Sequence, residues 1–340
     1  MEMLQTVGVF FAQTLIIVLA IVAILLTIAA LAMKAKNHKT FELEILNEKY
    51  EDQVQALKEA LLSDDEYKAE RKKLKKENKL KQSEPHSNKP KTFVIDFLKG
   101  DINASETENL REEISTILGV ATPNDEVVVR IESPGGVVHG YGFAAAQLLR
   151  IRAANIPLVV CVDQVAASGG YMMACTANKI LAAPFALVGS IGVVAQVPNF
   201  NRLLKKYDVD YKEYTAGDYK RTVSLFGEIT EKGENKFKEQ LELTHQLFKS
   251  FVSKYRPNMD ISKVATGEFW YGETALTLGL IDTISTSDDY LLTKSKEHQV
   301  VRISFEKKPT LSDKISDLVS KAASLTLKKI FEQNSIIKNI

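Results

Sequence analysis

The 340-residue chain has only two cysteines, one tryptophan and five histidines, and its 44 Lys and Arg against 43 Asp and Glu leave a net charge of +1. Each shortage excludes something. Two cysteines at this spacing make no zinc pattern, and Cys161 and Cys175 sit among apolar neighbours (Val-Val-Cys-Val and Met-Ala-Cys-Thr), as buried structural thiols do; they pair only if the fold brings them close. A net charge near zero supplies no global field for nucleic acid, which is not expected as a partner. No internal repeat is evident. No metal or cofactor pattern stands out, and neither is expected.

Charge is also missing from Met3 to Met33. That run exceeds the roughly 20 apolar residues needed to cross a bilayer core of about 30 Å, and a transmembrane helix is expected over residues 9–31. Ala30-Leu31-Ala32 could pass for a signal-peptide cleavage site. However, no Lys or Arg precedes the run, and it is longer than a signal h-region of about 7–15 residues, which favours an uncleaved anchor over residues 1–33. Lys34, Lys36 and Lys39 follow closely, so the positive-inside rule places the body on the cytoplasmic face; translocation of a large domain despite these charges leaves the periplasmic face as the alternative.

What is present changes character along the chain. Residues 34–90 form a linker. Ile45 or Leu46, Tyr50, Val54, Leu57 and Leu61 predict an amphipathic helix over 40–62, too short in heptads for a coiled coil. Residues 68–81 are strongly basic, read as a solvated linker or as a contact for anionic lipid head groups. The Pro-containing stretch 83–90 marks a boundary.

The folded domain is expected over 91–300, with a partly helical tail over 301–340. Strands are predicted at 92–98, 126–131 and 158–162. Helices are predicted at 105–118, with Ser105 and Glu108 in a capping-box pattern, and at 141–153, 201–206 and 231–256; the core is expected to end at 267–284. Residues 180–198 are uncharged, but Pro184, Gly189, Gly192 and Pro198 interrupt them, so they read as core and loop. Strands alternating with helices imply an α/β fold with a parallel sheet, whose ligands bind beyond the carboxyl ends of the strands.

One stretch there, Val165-Ala-Ala-Ser-Gly-Gly-Tyr171, sets a hydroxyl beside two glycines. A serine needs a base within hydrogen-bond reach and donors for the developing oxyanion to act as a nucleophile. His38, His86, His245 and His298 lie in linkers, a long helix or the distal region, leaving His139, three residues after Gly136, as the histidine candidate. No Asp is obviously placed to orient it. A lysine is the other option, and its ordinary pKa of about 10.4 would have to fall to ~7–8, a bias of roughly 3–4 kcal/mol against the charged form. Lys220, in Thr215-Ala-Gly-Asp-Tyr-Lys220, follows a glycine and an aromatic, but composition alone does not single it out.

Ser133-Pro-Gly-Gly136, Ala167-Ser-Gly-Gly-Tyr171, Gly189-Ser-Ile-Gly-Val193 and Gly217-Asp-Tyr-Lys220, in this order and at these separations, closely resemble the signal peptide peptidase A family of Ser-Lys serine peptidases, and in particular its short, membrane-anchored branch. The resemblance spans residues 93–284 and includes Gly267-Glu-Phe-Trp-Tyr-Gly272. It implies a crotonase/Clp-protease-like fold preceded by one transmembrane helix, in a single-pass protein of the bacterial inner membrane. It further implies that Ser168 attacks the peptide carbonyl, that Lys220 takes and later returns the proton, that Ser190 orients the lysine, and that the N–H groups of Gly136 and Gly169 receive the oxyanion. The expected substrate is an unfolded or membrane-derived peptide. The expected assembly is a homo-oligomer in which serine and lysine can come from neighbouring subunits. Two rivals are a crotonase-type acyl-CoA enzyme, for which an evident pair of site carboxylates is missing, and a non-catalytic membrane scaffold of the same fold.

Overall fold

The computed structural model describes residues 39–63, 65–72 and 89–307. The expected anchor, the basic run beyond residue 72, the boundary up to residue 88 and the tail beyond 307 lie outside the described residues. Among the described residues no helix is long and apolar enough to cross a membrane. The chain divides into two units, one comprising residues 1–42 and 305–340, the other Leu43–Ser304. In the smaller, the described residues place the rings of Phe41 and Phe305 5.1 Å apart.

The larger unit is built on ten strands: β1 (Lys39–Ile45, from its residue 43), β2 (Lys91–Phe97), β3 (Glu126–Ile131), β4 (Leu158–Val162), β5 (Val165–Ala167), β6 (Lys179–Ala182), β7 (Leu187–Gly189), β8 (Phe269–Tyr271), β9 (Thr283–Ile284) and β10 (Gln299–Lys307, up to residue 304). The main sheet runs β1-β10-β2-β3-β4-β6-β9, and a small second sheet runs β5-β7-β8. Every registered pair from β10 to β9 is parallel, as is β5 with β7; β7 and β8 are antiparallel.

The Val- and Ile-rich runs form strands because both faces of the main sheet are covered, as parallel sheets require. Phe93, Ile95, Phe97, Val127, Val129, Ile131, Leu158 and Val160 enter the larger core. Their alternates Val94, Val128, Val159 and Cys161 enter a second core with Leu46, Leu181, Leu291 and Val300. Helices α2 (Thr107–Leu118), α3 (Val138–Ala153), α4 (Gly169–Ala174) and α6 (Glu231–Tyr255) contribute to the first core. Helices α1 (Leu46–Leu61) and α9 (Ser287–Lys294) supply the second. Short helices α5 (Asn201–Lys206), α7 (Ile261–Val264) and α8 (Gly272–Thr277) complete the set of named helices. On the second face Asp96 pairs with Arg130 through Nε and Nη2, at 2.6 and 2.7 Å, and with Arg302 Nε at 2.8 Å.

Three expectations need correction. The helix expected over 40–62 begins only at Leu46, because Phe41, Leu43 and Ile45 alternate with Thr40, Glu42 and Glu44 as β1. Ser105 does not cap α2. The helix starts at Thr107, while the Ser105 N–H and hydroxyl donate to Asp101 at 2.8 and 2.7 Å, closing the preceding turn instead. The core does not end at residue 284, since α9 packs on the second face and β10 pairs with β2 inside the sheet. Cys161 and Cys175 are buried and free, as their neighbours suggested, with burial pushing the Cys161 thiol up to about 12.

Candidate active site

Beyond the carboxyl ends of β2, β3 and β4, three loops meet. Ser168 follows β5 and precedes α4, at φ 52° and ψ −115°, a conformation that costs a non-glycine residue of order 1–3 kcal/mol. Hydrogen bonds hold it there: its N–H donates to Gly189 O at 2.7 Å, and its carbonyl accepts from Met172 N at 2.9 Å. The side chain is half-buried at a sharp strand-to-helix turn, a geometry that presents a hydroxyl at the mouth of a sheet.

The turn after β3 is fastened to the same place. Ser133 forms a parallel bridge with Ala166, its N–H donating to Val165 O at 2.9 Å and its carbonyl accepting from Ala167 N at 3.0 Å. Gly135 lies in the left-handed region at φ 89°. A Cβ there would stand 2.7 Å from both Gly169 N and Ser168 Cβ, so glycine is required twice over. Gly136 presses on the Ile102 backbone, and the next N–H, of Val137, donates to Ile102 O at 2.8 Å. Among the described residues no acceptor takes the N–H of Gly136 or of Gly169. Two backbone donors beside a hydroxyl are what an oxyanion site needs.

Ser190 lies one residue beyond the Gly189 carbonyl that anchors Ser168. It has φ 51°, and its N–H donates to Glu268 O at 2.6 Å. The sequence offers His245 only as a helix residue, yet its Nε2 lies 3.2 Å from Ile191 O, and the Nε2–H tautomer donates there and ties α6 to the turn after Ser190. Tyr141 was also missed. It is fully buried, bonded to Ser133, and packed so that a Cβ on Gly169 would strike its ring. Neither residue carries a local motif, because each acts on a partner from another element.

The structure brings Ser168, Gly136, Gly169 and Ser190 into one neighbourhood and, among the described residues, joins neither candidate base to them by a hydrogen bond. Lys220 is exposed, its N–H closing a turn on Gly217 O at 3.1 Å, and no hydrogen bond among the described residues joins its amine to Ser168 or Ser190. His139, exposed at the start of α3, makes none to Ser168 either. Among the described residues no group of three or more His, Cys, Asp or Glu is placed to hold a metal ion.

Comparison with known proteins decides the family. The N-terminal model of peptidase family S49 matches residues 2–148, and the peptidase family S49 model matches residues 150–301. A protein named probable protease SohB from Haemophilus influenzae is 50% identical over 335 residues, covering 95% of this chain and 94% of that one. The chain belongs to peptidase family S49. A second probable protease SohB, from Buchnera aphidicola subsp. Acyrthosiphon pisum, is 53% identical over 245 residues, 72% of this chain and 73% of its own. Among solved structures, a mutant of the 1510-N membrane-bound stomatin-specific protease in complex with a substrate peptide overlays with a TM-score of 0.42 at 15% identity, covering 69% of this chain and 99% of that chain. Membership of the family makes this S49 chain a serine peptidase of α/β fold that acts on peptide substrates.

Proposed function

We propose that this peptidase is a membrane-anchored endopeptidase in which Ser168 is the nucleophile, Lys220 the general base, Ser190 the group that orients the lysine, and the N–H groups of Gly136 and Gly169 the oxyanion donors. The observation that carries this reading is Ser168 itself: a hydroxyl held in strained backbone, with the N–H of Gly136 in the turn after β3 and that of Gly169 at the start of α4 both without an acceptor among the described residues. Attack on a peptide carbonyl forms the Oγ–C bond while the proton passes to the lysine amine. Collapse of the tetrahedral intermediate breaks the C–N bond, the amine leaves with that proton, and water later releases the acyl group.

Lys220 is exposed and, among the described residues, unbonded to Ser168 within one chain, and its surroundings support completion by a second subunit. The stretch from Val194 to Phe226 exposes Phe200, Tyr207 and Tyr211, with Val194 82% and Tyr214 89% exposed. A run of exposed large apolar side chains on one segment is the mark of an interface. Leu243 and Leu247 are exposed on α6 as well. A neighbouring chain covering this surface would both bury Lys220, favouring its neutral form, and bring it to Ser168 of the partner. The fold is then of the crotonase/Clp-protease type, and residues 1–33 tether the assembly to the bacterial inner membrane, with the flanking lysines placing it on the cytoplasmic face.

The test is subunit complementation. Ser168→Ala and Lys220→Ala should each abolish cleavage of an unstructured protein without loss of fold. When the two inactive chains are co-assembled in equal amounts, about a quarter of the sites of a head-to-tail ring pair an intact serine with an intact lysine, and activity should return to that fraction. Activity retained by either single variant would refute the residue assignment. Single variants that are dead and do not complement on mixing would refute the shared site.

A further inference from the structure

We infer that Tyr141 is a positioning residue for peptide hydrolysis: through the Ser133 hydroxyl it sets the Gly135–Gly136 turn against Ser168. The inference rests on the assignment of Ser168 and Gly136 proposed above. Its evidence is a hydrogen-bond chain whose proton direction is fully determined. Asp101 O can only accept, so the Tyr141 hydroxyl, 2.8 Å away, donates to it. The Ser133 hydroxyl, 2.5 Å from Tyr141 Oη, must then donate to the phenol oxygen. The Ser133 oxygen is left to accept the Gly135 N–H at 3.0 Å. Each hydroxyl in this chain both gives and receives, and Tyr141 and Ser133 are both fully buried.

The consequence for the site follows from what the chain joins. Gly135 N–H is consumed by Ser133, so the peptide is oriented with the next N–H, that of Gly136, unspent. Ser133 is also stitched by its backbone to β5, the strand that delivers Ser168. The Tyr141 ring lies beneath Gly169, where a Cβ would collide with it, and meets Phe97 edge-on at 6.2 Å. One side chain thus spans the loop after β2, the turn after β3 and the residue following Ser168. The phenol touches no substrate. It acts through Ser133, and its removal should tilt the Gly136 N–H without emptying the space under Gly169.

Tyr141→Phe in the full chain is the test, because it keeps the ring and deletes only the hydroxyl. On a fluorogenic peptide the expected result is a fall in kcat of about 10–100-fold with KM changed less than about threefold, since a misplaced donor is felt mainly in the transition state. Affinity for a peptide aldehyde, which forms a tetrahedral adduct, should fall by the same factor, while affinity for the matching peptide alcohol should not. Ser133→Ala cuts the chain at its other end and should give a similar loss, and the double variant should be no worse than the poorer single one. A folded Tyr141→Phe with kcat within about threefold of wild type, or losses that multiply in the double variant, would overturn the inference. If Tyr141→Phe does not fold, Ser133→Ala decides alone by the same criteria. Full turnover by Ser168→Ala would instead sink the assignment of the nucleophile, a separate outcome read in the same assay.

Discussion

Gly136→Ala offers the sharpest single perturbation of the proposed oxyanion geometry. Gly136 is not in the left-handed region, so alanine meets no intrinsic backbone objection; the obstacle is contact alone. The new methyl would stand 2.7 Å from both the carbonyl carbon and Cα of Ile102, and closer still to its oxygen, where ordinary contact begins near 3.4 Å. All three atoms are backbone, so no side chain can swing aside. The turn or the loop over 100–104 must separate by about 1 Å, a shift large enough to cost on the order of 10²-fold when it falls on positioned groups. The Val137 N–H bond to Ile102 O at 2.8 Å goes with it, at about 1 kcal/mol. Losing one oxyanion donor outright lowers kcat by about 10²–10³. The expected variant is therefore folded, slightly less stable, and at least about 100-fold slower in kcat on a peptide substrate. Gly142→Ala is the control: it lies in the same segment, inside α3, with nothing within 4 Å of its Cβ. It should keep full activity and gain about 0.5–1 kcal/mol from helix propensity. A Gly136→Ala enzyme with wild-type kcat would show that this N–H does not receive the oxyanion.

Other predictions address the scaffold and assembly. Asp96→Ala strands two guanidinium groups that now share one carboxylate and should cost about 3–5 kcal/mol in denaturant unfolding; a loss below ~1 kcal/mol would show that Glu44 and water suffice for Arg302 and Arg130. Val194→Glu with Tyr214→Glu should shift the enzyme to smaller species in sedimentation and silence it together; a monomer with full activity would refute the shared site. His298 predicts a pH effect on folding. Burial first, and Lys294 second, depress it below its ordinary 6.5, so on acidification the unfolded chain takes the proton first. Its stabilising share is fully present above 6.5 and is lost as pH falls from there through the folded pKa. The Thr92 Oγ1 contact with its Nδ1, at 3.0 Å, makes it a clasp at the start of β10. The midpoint of thermal unfolding should fall more between pH of about 7.5 and 5.5 in the wild type than in His298→Gln; equal profiles would remove this linkage.

How much of this was legible in the residues depends on range. Strands buried on both faces declare themselves as short, densely apolar runs, unbroken at 158–162 and interrupted at 126–131 only by Glu126 and Arg130, so both are legible to the residue. β5, β7 and β8 have three residues each, shorter than any periodicity, and exist because they pair with one another. β1 did carry a period of two, but the helix pattern that follows it absorbed those residues. The motif glycines are visible as a set, whereas the reason for each, a collision with Ile102, Tyr141 or Gly169, is a matter of contacts between residues 28 or 34 positions apart.

The same distinction bears on the proposed active site. Ser168, Gly136 and Gly169 are joined by strand register and hydrogen bonds that one chain can complete, and they converge within it. Lys220 belongs to a different physical class. It sits on a stretch, residues 208–221, with no buried side chain and with Tyr219 flanked by the amines of Lys232 and Lys236, each 5.3 Å from the ring. A single chain gives such a segment no reason to fold over a cleft, because its exposed rings gain little from covering a polar site. A second copy gives it one, since burying those rings gains about 25 cal/mol per Å² and offsets part of the cost of desolvating the amine. In that arrangement activity depends on assembly, and a chain released from its neighbours keeps its nucleophile and oxyanion donors but has no base to use them.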